Sequence, residues 1–422
     1  MEILRTLRRA FKVPNLRQRI MFTLYMLLIF RLGSHVPVPG IDPGALSQLF
    51  EEGTLFGLLD MFAGGALSSF SIFAMSITPY INASIIMNLL TVVIPKLEQW
   101  SKEGEEGRRK ITQWTRYATL FLSLIQASGM AAFMRAQGAL ARPDMFGLIS
   151  VIVSITAGTV FLMWLGEQIT EQGIGNGISI LIFSGIVSRV PSGTMGLLAY
   201  LREGTVTPFT LGIMLLVGLA VIAGVVFVQE GRRRIPVQYS KRVVGRKMYG
   251  GQTTHIPLRI NQAGVIPVIF ASSVLAFPPT IAQFVDAPWA ETLARVMDFG
   301  STLHTVLFFL MIVFFTYFYT AITFNPSDVA DNIRKYGGFI PGRRPGRATA
   351  QYLDRVLVRI TLPGAIFLGL VAIFPIFFGG FTGVPGVNFG GTALLIVVGV
   401  ALETMKQIEA QLMMRQYEGF MR

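Results

Sequence analysis

Residues 208–234 read PFTLGIMLLVGLAVIAGVVFVQEGRRR. The apolar run over 208–228 has about the ~20 residues an α-helix needs to cross a bilayer. Three arginines, Arg232, Arg233 and Arg234, follow it at once. The same alternation recurs along the chain. Ten apolar stretches, 18–36, 74–95, 112–134, 145–166, 173–190, 208–228, 261–281, 304–324, 356–377 and 391–410, are separated by nine connections. The even-numbered connections, both tails and the span ends beside them carry 30 of the 36 Lys and Arg residues. The odd-numbered ones carry five, Arg135, Arg142, Arg189, Arg202 and Arg295, and Arg31 lies inside the first span. Lys and Arg resist transfer through a bilayer, so the rich face is expected to be cytoplasmic, with both termini on it.

By length alone, 422 residues would allow two or three soluble domains. With 52% hydrophobic and only 14% charged residues, the composition points to one integral-membrane body. The formal net charge of +13 is a property of the basic loops. With no cysteine, disulfides, thiol catalysis and thiolate metal sites are excluded. His35, His255 and His304 are far apart, and no zinc-protease, nucleophile-elbow or P-loop motif occurs. The chain is therefore expected not to be an enzyme and to need no cofactor. Spans 2, 4, 7, 8 and 9 hold no ionisable residue at mid-depth, and Glu403 and Lys406 sit in the basic-side half of the last span. Ion-coupled transporters usually place a charge at mid-membrane, so this bareness counts against ion coupling.

Several segments exceed the needs of a connector. The first tail, with Arg5, Arg8, Arg9, Lys12, Arg17 and Arg19, reads as a short amphipathic helix on the headgroups. The first span reads as retained, not as a removed signal, because no small-residue cleavage site follows it. Arg31 either snorkels outward or is buried against a neighbouring helix. In the first outer connection, 37–73, the segment 55–67 is too short and too Gly-interrupted to span, yet too apolar for water. It is expected to fold back into the protein body. The loop 229–260 reads as an extended basic hairpin, and 325–355 carries Pro-Gly pairs at 341–342 and 345–346. Short basic loops serve topology and attract anionic lipids; at this length and basicity, docking of a large anionic partner is expected. Finally, Pro79-Tyr80-Ile81-Asn82-Ala83-Ser84 recurs as Pro267-Val268-Ile269-Phe270-Ala271-Ser272, in spans two and seven. Spans 1–5 and 6–10 would then be inverted halves of an all-α membrane protein around a central pore.

The chain resembles the SecY family, pore subunits of the bacterial Sec protein-translocation channel. The resemblance rests on Ser76–Ile86 in span two, Gly173-Ile174-Gly175-Asn176-Gly177-Ile178-Ser179-Ile180 opening span five, and Asn261–Pro267 opening span seven. Pro341–Gly346 and Gly391–Val398 complete it. It implies a protein-conducting channel that passes unfolded secretory chains and releases apolar segments sideways into the inner membrane. A pore ring would comprise Ile77, Ile81, Ile178, Ile182, Ile269 and Ile396. A plug would comprise Leu58, Leu59, Asp60, Met61, Phe62, Ala63, Gly64, Gly65, Ala66 and Leu67, within a segment of about 55–73. A lateral gate would use Asn82, Gln126, Ser273 and Phe277; small polar residues also simply favour close helix packing. Arg246, Lys247, Arg343 and Arg344 would touch a motor or ribosome. Implied partners are SecE, SecG, the SecA ATPase, the ribosome, a signal peptide and the unfolded chain. The implied division is 1–190, then 191–260 with span six and the hairpin, then 261–422. Two other readings stand beside this one: a secondary transporter of small solutes, and a scaffold that docks ribosomes.

Overall fold

The computed structural model describes residues 9–41, 65–67, 69–136, 138–204, 206–239, 242–244, 247–249, 253–282, 288–297, 301–382 and 390–420. Its helices are α1 (Pro14–Gly33), α2 (Thr78–Val93), α3 (Pro95–Lys102), α4 (Glu105–Ala136), α5 (Met145–Gln172), α6 (Gly177–Ser188) and α7 (Val190–Arg202). They continue with α8 (Pro208–Glu230), α9 (Ile266–Ala282), α10 (Pro288–Val296), α11 (Thr302–Thr323), α12 (Pro326–Lys335), α13 (Arg347–Thr382) and α14 (Gly390–Phe420). Each of the ten expected spans falls on one of them. Among the described residues seven helical stretches are long and apolar enough to cross a membrane outright, and the bent pair α2 and α3, taken as one span, makes an eighth. The apolar part of α9 is shorter, Ile266–Pro279. Helix α1 has 20 residues and carries Arg17, Arg19 and Arg31.

Local chemistry sets the ends. Asp144, Asn176, Thr207 and Ser301 cap α5, α6, α8 and α11 by accepting from backbone N–H groups, which satisfies donors that lack a helical partner. Span two starts later than expected: residues 74–77 are turns, and Ser76 sits at φ +52°, a left-handed conformation that no helix propagates. Pro95 lacks the N–H a continuing helix needs, and α3 leaves α2 at 101°.

The packing order repeats. In the first half α2 packs on α4, α4 on α5, α5 on α6, and α1 on both α5 and α6. In the second, α9 packs on α11, α11 on α13, α13 on α14, and α8 on both α13 and α14. Span for span, these are the same neighbours. The sequence repeat agrees with them: Pro79 and Pro267 each occupy the second position of their helix, α2 and α9. Among the described residues the halves meet most extensively at α6 on α14 and at α2 on α9.

The two long basic loops form one small body. Strand β1 (Arg232–Tyr239) pairs antiparallel with β4 (Thr253–Arg259), and β5 (Gly338–Phe339) from the other loop adds to its far edge. The hairpin extends through β2 (Arg242–Val244) and β3 (Lys247–Tyr249). Ile235, Val237 and Leu258 alternate inward and share a core with Ile333, Ile340 and Leu353. An apolar core of its own makes this pair of loops a platform, with Arg232, Arg233, Arg234 and Arg259 exposed.

The described part of the first tail differs from the expected headgroup helix. Ala10 and Leu16 are buried with Ile174 and Ile408, so its apolar face meets protein; residues 1–8 lie outside the described part. Arg31 is half-buried, and its Nη1 donates to Ser188 Oγ of the neighbouring α6 at 3.3 Å.

Candidate functional site

The six isoleucines come from four elements, and the local sequence explains how each is held. Ile77 precedes α2 and its carbonyl accepts from the Ile81 N–H at 3.1 Å, so the two sit one turn apart. Ile178 and Ile182 share a face of α6, because side chains four apart stack along a helix. The approach to α6 is fixed by glycines. Gly175 lies at φ +86°, and a Cβ on Gly177 would come within 1.9 Å of the Gly166 carbonyl oxygen of α5. Asn176 Oδ1 accepts from the Ser179 N–H at 3.1 Å, and Thr170 Oγ1 from the Gly177 N–H at 2.9 Å. Thr23 of α1 accepts from the Ile174 N–H at 3.1 Å, and Gln407 of α14 from the Gly175 N–H at 2.8 Å. The glycine-rich turn is thus gripped from both halves.

Ile77, Ile81, Ile182, Ile269 and Ile396 are all buried in one apolar cluster, with Ile178 packed against it. Ile81, Ile178, Ile182 and Ile269 face a cavity of about 150 Å³ between the halves. Its remaining lining is polar but uncharged: Tyr80, Ser84, Asn88, Asn176, Ser179 and Tyr319, beside Ile266 and Phe270. Ile77 and Ile396 lie deeper in the cluster and do not line it.

The four gate candidates come together. Asn82, Gln126, Ser273 and Phe277 line a second cavity of about 50 Å³ at the α2/α9 junction, with Leu67, Met75, Thr78 and Met130. Asn82 is 7% exposed and its Nδ2 has no partner among the described residues. A buried donor without a bond costs about 1–3 kcal/mol. Any bond to this donor therefore comes from the cavity and not from a facing side chain among the described residues.

Of the expected plug, Leu58 to Gly64 lie outside the described residues. Gly65, Ala66 and Leu67 are described. Ala66 and Leu67 are buried in the central cluster, and Gly65 holds φ +89°. The stretch that follows is tied to the body, since Ser71 N–H donates to the Ala66 carbonyl at 2.8 Å and Ile72 N–H to that of Val36 at 2.9 Å. Phe73 lies between helices, stacked on Phe30 and Phe161 at 6.1 and 6.0 Å. A Cβ on Gly33 of α1 would strike its ring, and one on Gly158 of α5 the Ile72 carbonyl oxygen.

Among the docking candidates, the Arg343 guanidinium stacks over the Tyr352 ring at 5.1 Å. Arg344 is exposed beside it. Arg246 lies outside the described residues, and Lys247 is in β3. Sequence reasoning missed the gripping residues Thr23 and Gln407. It also missed two ion pairs near span ends, Arg116 Nε to Glu167 Oε1 at 2.8 Å and Lys406 Nζ to Glu230 Oε1 at 2.6 Å.

Ten spans in two like halves about an apolar waist define a multi-pass membrane protein with the architecture of a channel. The SecY family model matches residues 71–405. The protein translocase subunit SecY of Streptomyces coelicolor is 50% identical over 435 aligned positions, covering 98% of this chain and 99% of that protein. A solved structure described as a protein-conducting channel matches with TM-score 0.68 at 18% identity, over 93% of this chain and 92% of that one. Sec61 in the canine ribosome–channel complex from the endoplasmic reticulum matches with TM-score 0.65 at 17% identity, over the same shares. The chain belongs to the SecY family. These likenesses give no support to a small-solute transporter.

Proposed function

We propose that the chain is the protein-conducting pore of a translocase, passing unfolded secretory polypeptides through the waist between its halves and releasing apolar segments between α2 and α9. The observation that carries this reading is one apolar cluster that collects isoleucines from both halves beside a cavity with uncharged lining. A narrow collar of branched side chains holds back water and ions by dewetting. It offers no hydrogen bond that a moving chain would have to break.

The remaining roles follow that geometry. The six isoleucines form the ring, and the segment 55–73 is the plug that seals the outer side. Asn82, Gln126, Ser273 and Phe277 form the gate seam where a signal peptide meets lipid. The repeated packing supports a division into 1–190 and 261–422, with 191–260 carrying span six and the hairpin. Basic loops favour the cytosol, so both termini and the sheet platform face it, in the inner membrane of a bacterium. The platform docks SecA or a ribosome through Arg246, Lys247 and Arg344. Arg343 is turned onto Tyr352, which favours Arg344 as the reaching residue. The platform's spare charge meets anionic lipids, and SecE and SecG are the membrane partners.

Since the chain has no natural cysteine, single cysteines test the ring directly. Ile81→Cys, Ile269→Cys and Ile396→Cys should each capture an arrested secretory chain bearing one cysteine. Exposed positions such as Leu216 and Phe209 of α8 should not. Equal capture at both sets rejects the ring.

A further inference from the structure

A third cavity of about 180 Å³ opens at the end of the bundle that bears the basic sheet. It shares Ile266 and Tyr319 with the central cavity, so it is a side chamber of the waist. Its floor and its rim differ. The rim holds the exposed Arg259 and Glu403 together with Lys406, whose ammonium is paired to Glu230 at 2.6 Å. The charges there are mixed in sign and do not select an anion or a cation. The floor holds Gln229, 9% exposed, and Asn261, 4% exposed. Gln229 Nε2 and Asn261 Oδ1 have no hydrogen-bond partner among the described residues. Asn261 spends its own Nδ2 on the Gly264 carbonyl at 2.8 Å, which fixes which end of the amide is left over. Helices are held close at this floor, since a Cβ on Gly399 of α14 would meet Val265 at 2.1 Å and Gln229 Nε2 at 2.9 Å.

One buried donor and one buried acceptor on the floor of the same chamber, below a rim of mixed charge, complement a group that offers one of each. A peptide unit does so whatever its side chain. One water needs about 10–15 Å³, so the chamber has room for a stretch of backbone. We propose that it is a docking site for the backbone of a polypeptide on its way to the isoleucine ring, a ligand class recognised by its amide and not by its sequence. This rests on the pore reading above. Hydrogen bonds to peptide roughly exchange for those to water, so the site orients the chain without holding it, as conduction requires.

The test uses the full chain, assembled with its membrane partners, and a secretory polypeptide arrested with a single cysteine at successive positions. Disulfide capture is compared at Gln262→Cys in the chamber, Ile269→Cys in the ring and Leu216→Cys on the exposed face of α8. The chamber should capture chain positions next to those caught by the ring, at least about tenfold above the α8 control. Gln229→Leu with Asn261→Leu should lower capture at Gln262→Cys about fivefold, the scale of two modest hydrogen bonds, while changing ring capture less than twofold. Ring capture with none at Gln262→Cys, in the otherwise unaltered chain, shows a water-filled chamber and overturns this inference alone. Loss of capture at both overturns the ring and the chamber together. Should the double leucine variant fail to assemble, the Gln262→Cys result alone decides the matter.

Discussion

The two halves of this molecule meet along two junctions that are built differently. At α6 and α14 the contact is stitched. The Gly175 N–H donates across the halves to Gln407 of α14, and Ile174 is buried with Ile408 of α14, while the Ile174 N–H is held within the first half by Thr23 of α1. At α2 and α9 the contact encloses a cavity, and the Asn82 Nδ2 that lines it has no partner among the described residues. One junction satisfies its backbone across the halves, and the other leaves a polar group in deficit. Two like halves joined firmly on one side and loosely on the other can part only at the loose side. The asymmetry thus points any opening toward α2 and α9, in keeping with the gate seam proposed there.

That contrast can be broken first in the glycine-rich turn that the first half presents to the stitched junction. The largest effect is expected from Gly177→Ala, whose new Cβ would lie 1.9 Å from the Gly166 carbonyl oxygen. Backbone cannot give way as a flexible side chain does, and overpacking of this kind costs about 3 kcal/mol or more. Thermal unfolding in detergent should drop sharply, and a wild-type midpoint would show that α5 and α6 are not locked. Next comes Thr23→Val, which keeps the shape but removes the acceptor for the Ile174 N–H. A buried N–H left unpaired costs about 1–3 kcal/mol, so the midpoint should fall measurably. Exchange of the Ile174 amide hydrogen should accelerate with it. Unchanged exchange would mean that the stitch carries no load.

Much of this architecture is legible in the chain because its signals are local. Span length and the placement of Lys and Arg are summed over ~20 residues, which is why every expected span falls on a helix. The repeat at Pro79 and Pro267 marked the duplicated halves before any contact was seen. Isoleucines four apart named one face of α6. What escaped depends on residues distant in sequence. Nothing near Thr23 announces the N–H it receives from residue 174, and Gln407 is no more marked as the partner of Gly175. The late start of α2 hangs on one residue, Ser76, in a conformation that its type rarely adopts. The merger of the two basic loops needs β5 to find β1 across about a hundred residues, through two residue pairs, Gln238 with Phe339 and Tyr239 with Gly338. Loop composition gave both loops a basic surface but could not give them a shared core.

The smallest effect, and the one of opposite sign, belongs to the loose junction. Asn82→Leu replaces an amide whose Nδ2 is unpartnered among the described residues by an apolar group of similar volume, facing a cavity lined by Leu67, Met75, Met130 and Phe277 with Thr78, Gln126 and Ser273. Removing an unsatisfied donor recovers part of its desolvation penalty, so the variant should gain about 1 kcal/mol. The thermal midpoint should rise slightly where Thr23→Val lowers it. Function should move the other way, because a seam without a deficit has less reason to part: lateral release of an apolar segment should slow about fivefold, the rate equivalent of that energy. Ser273→Ala, which leaves the Asn82 amide in place, should do much less. A variant at residue 82 that lost stability and kept its release rate would mean that the amide is bonded in the working channel. The two junctions would then differ in sequence but not in kind.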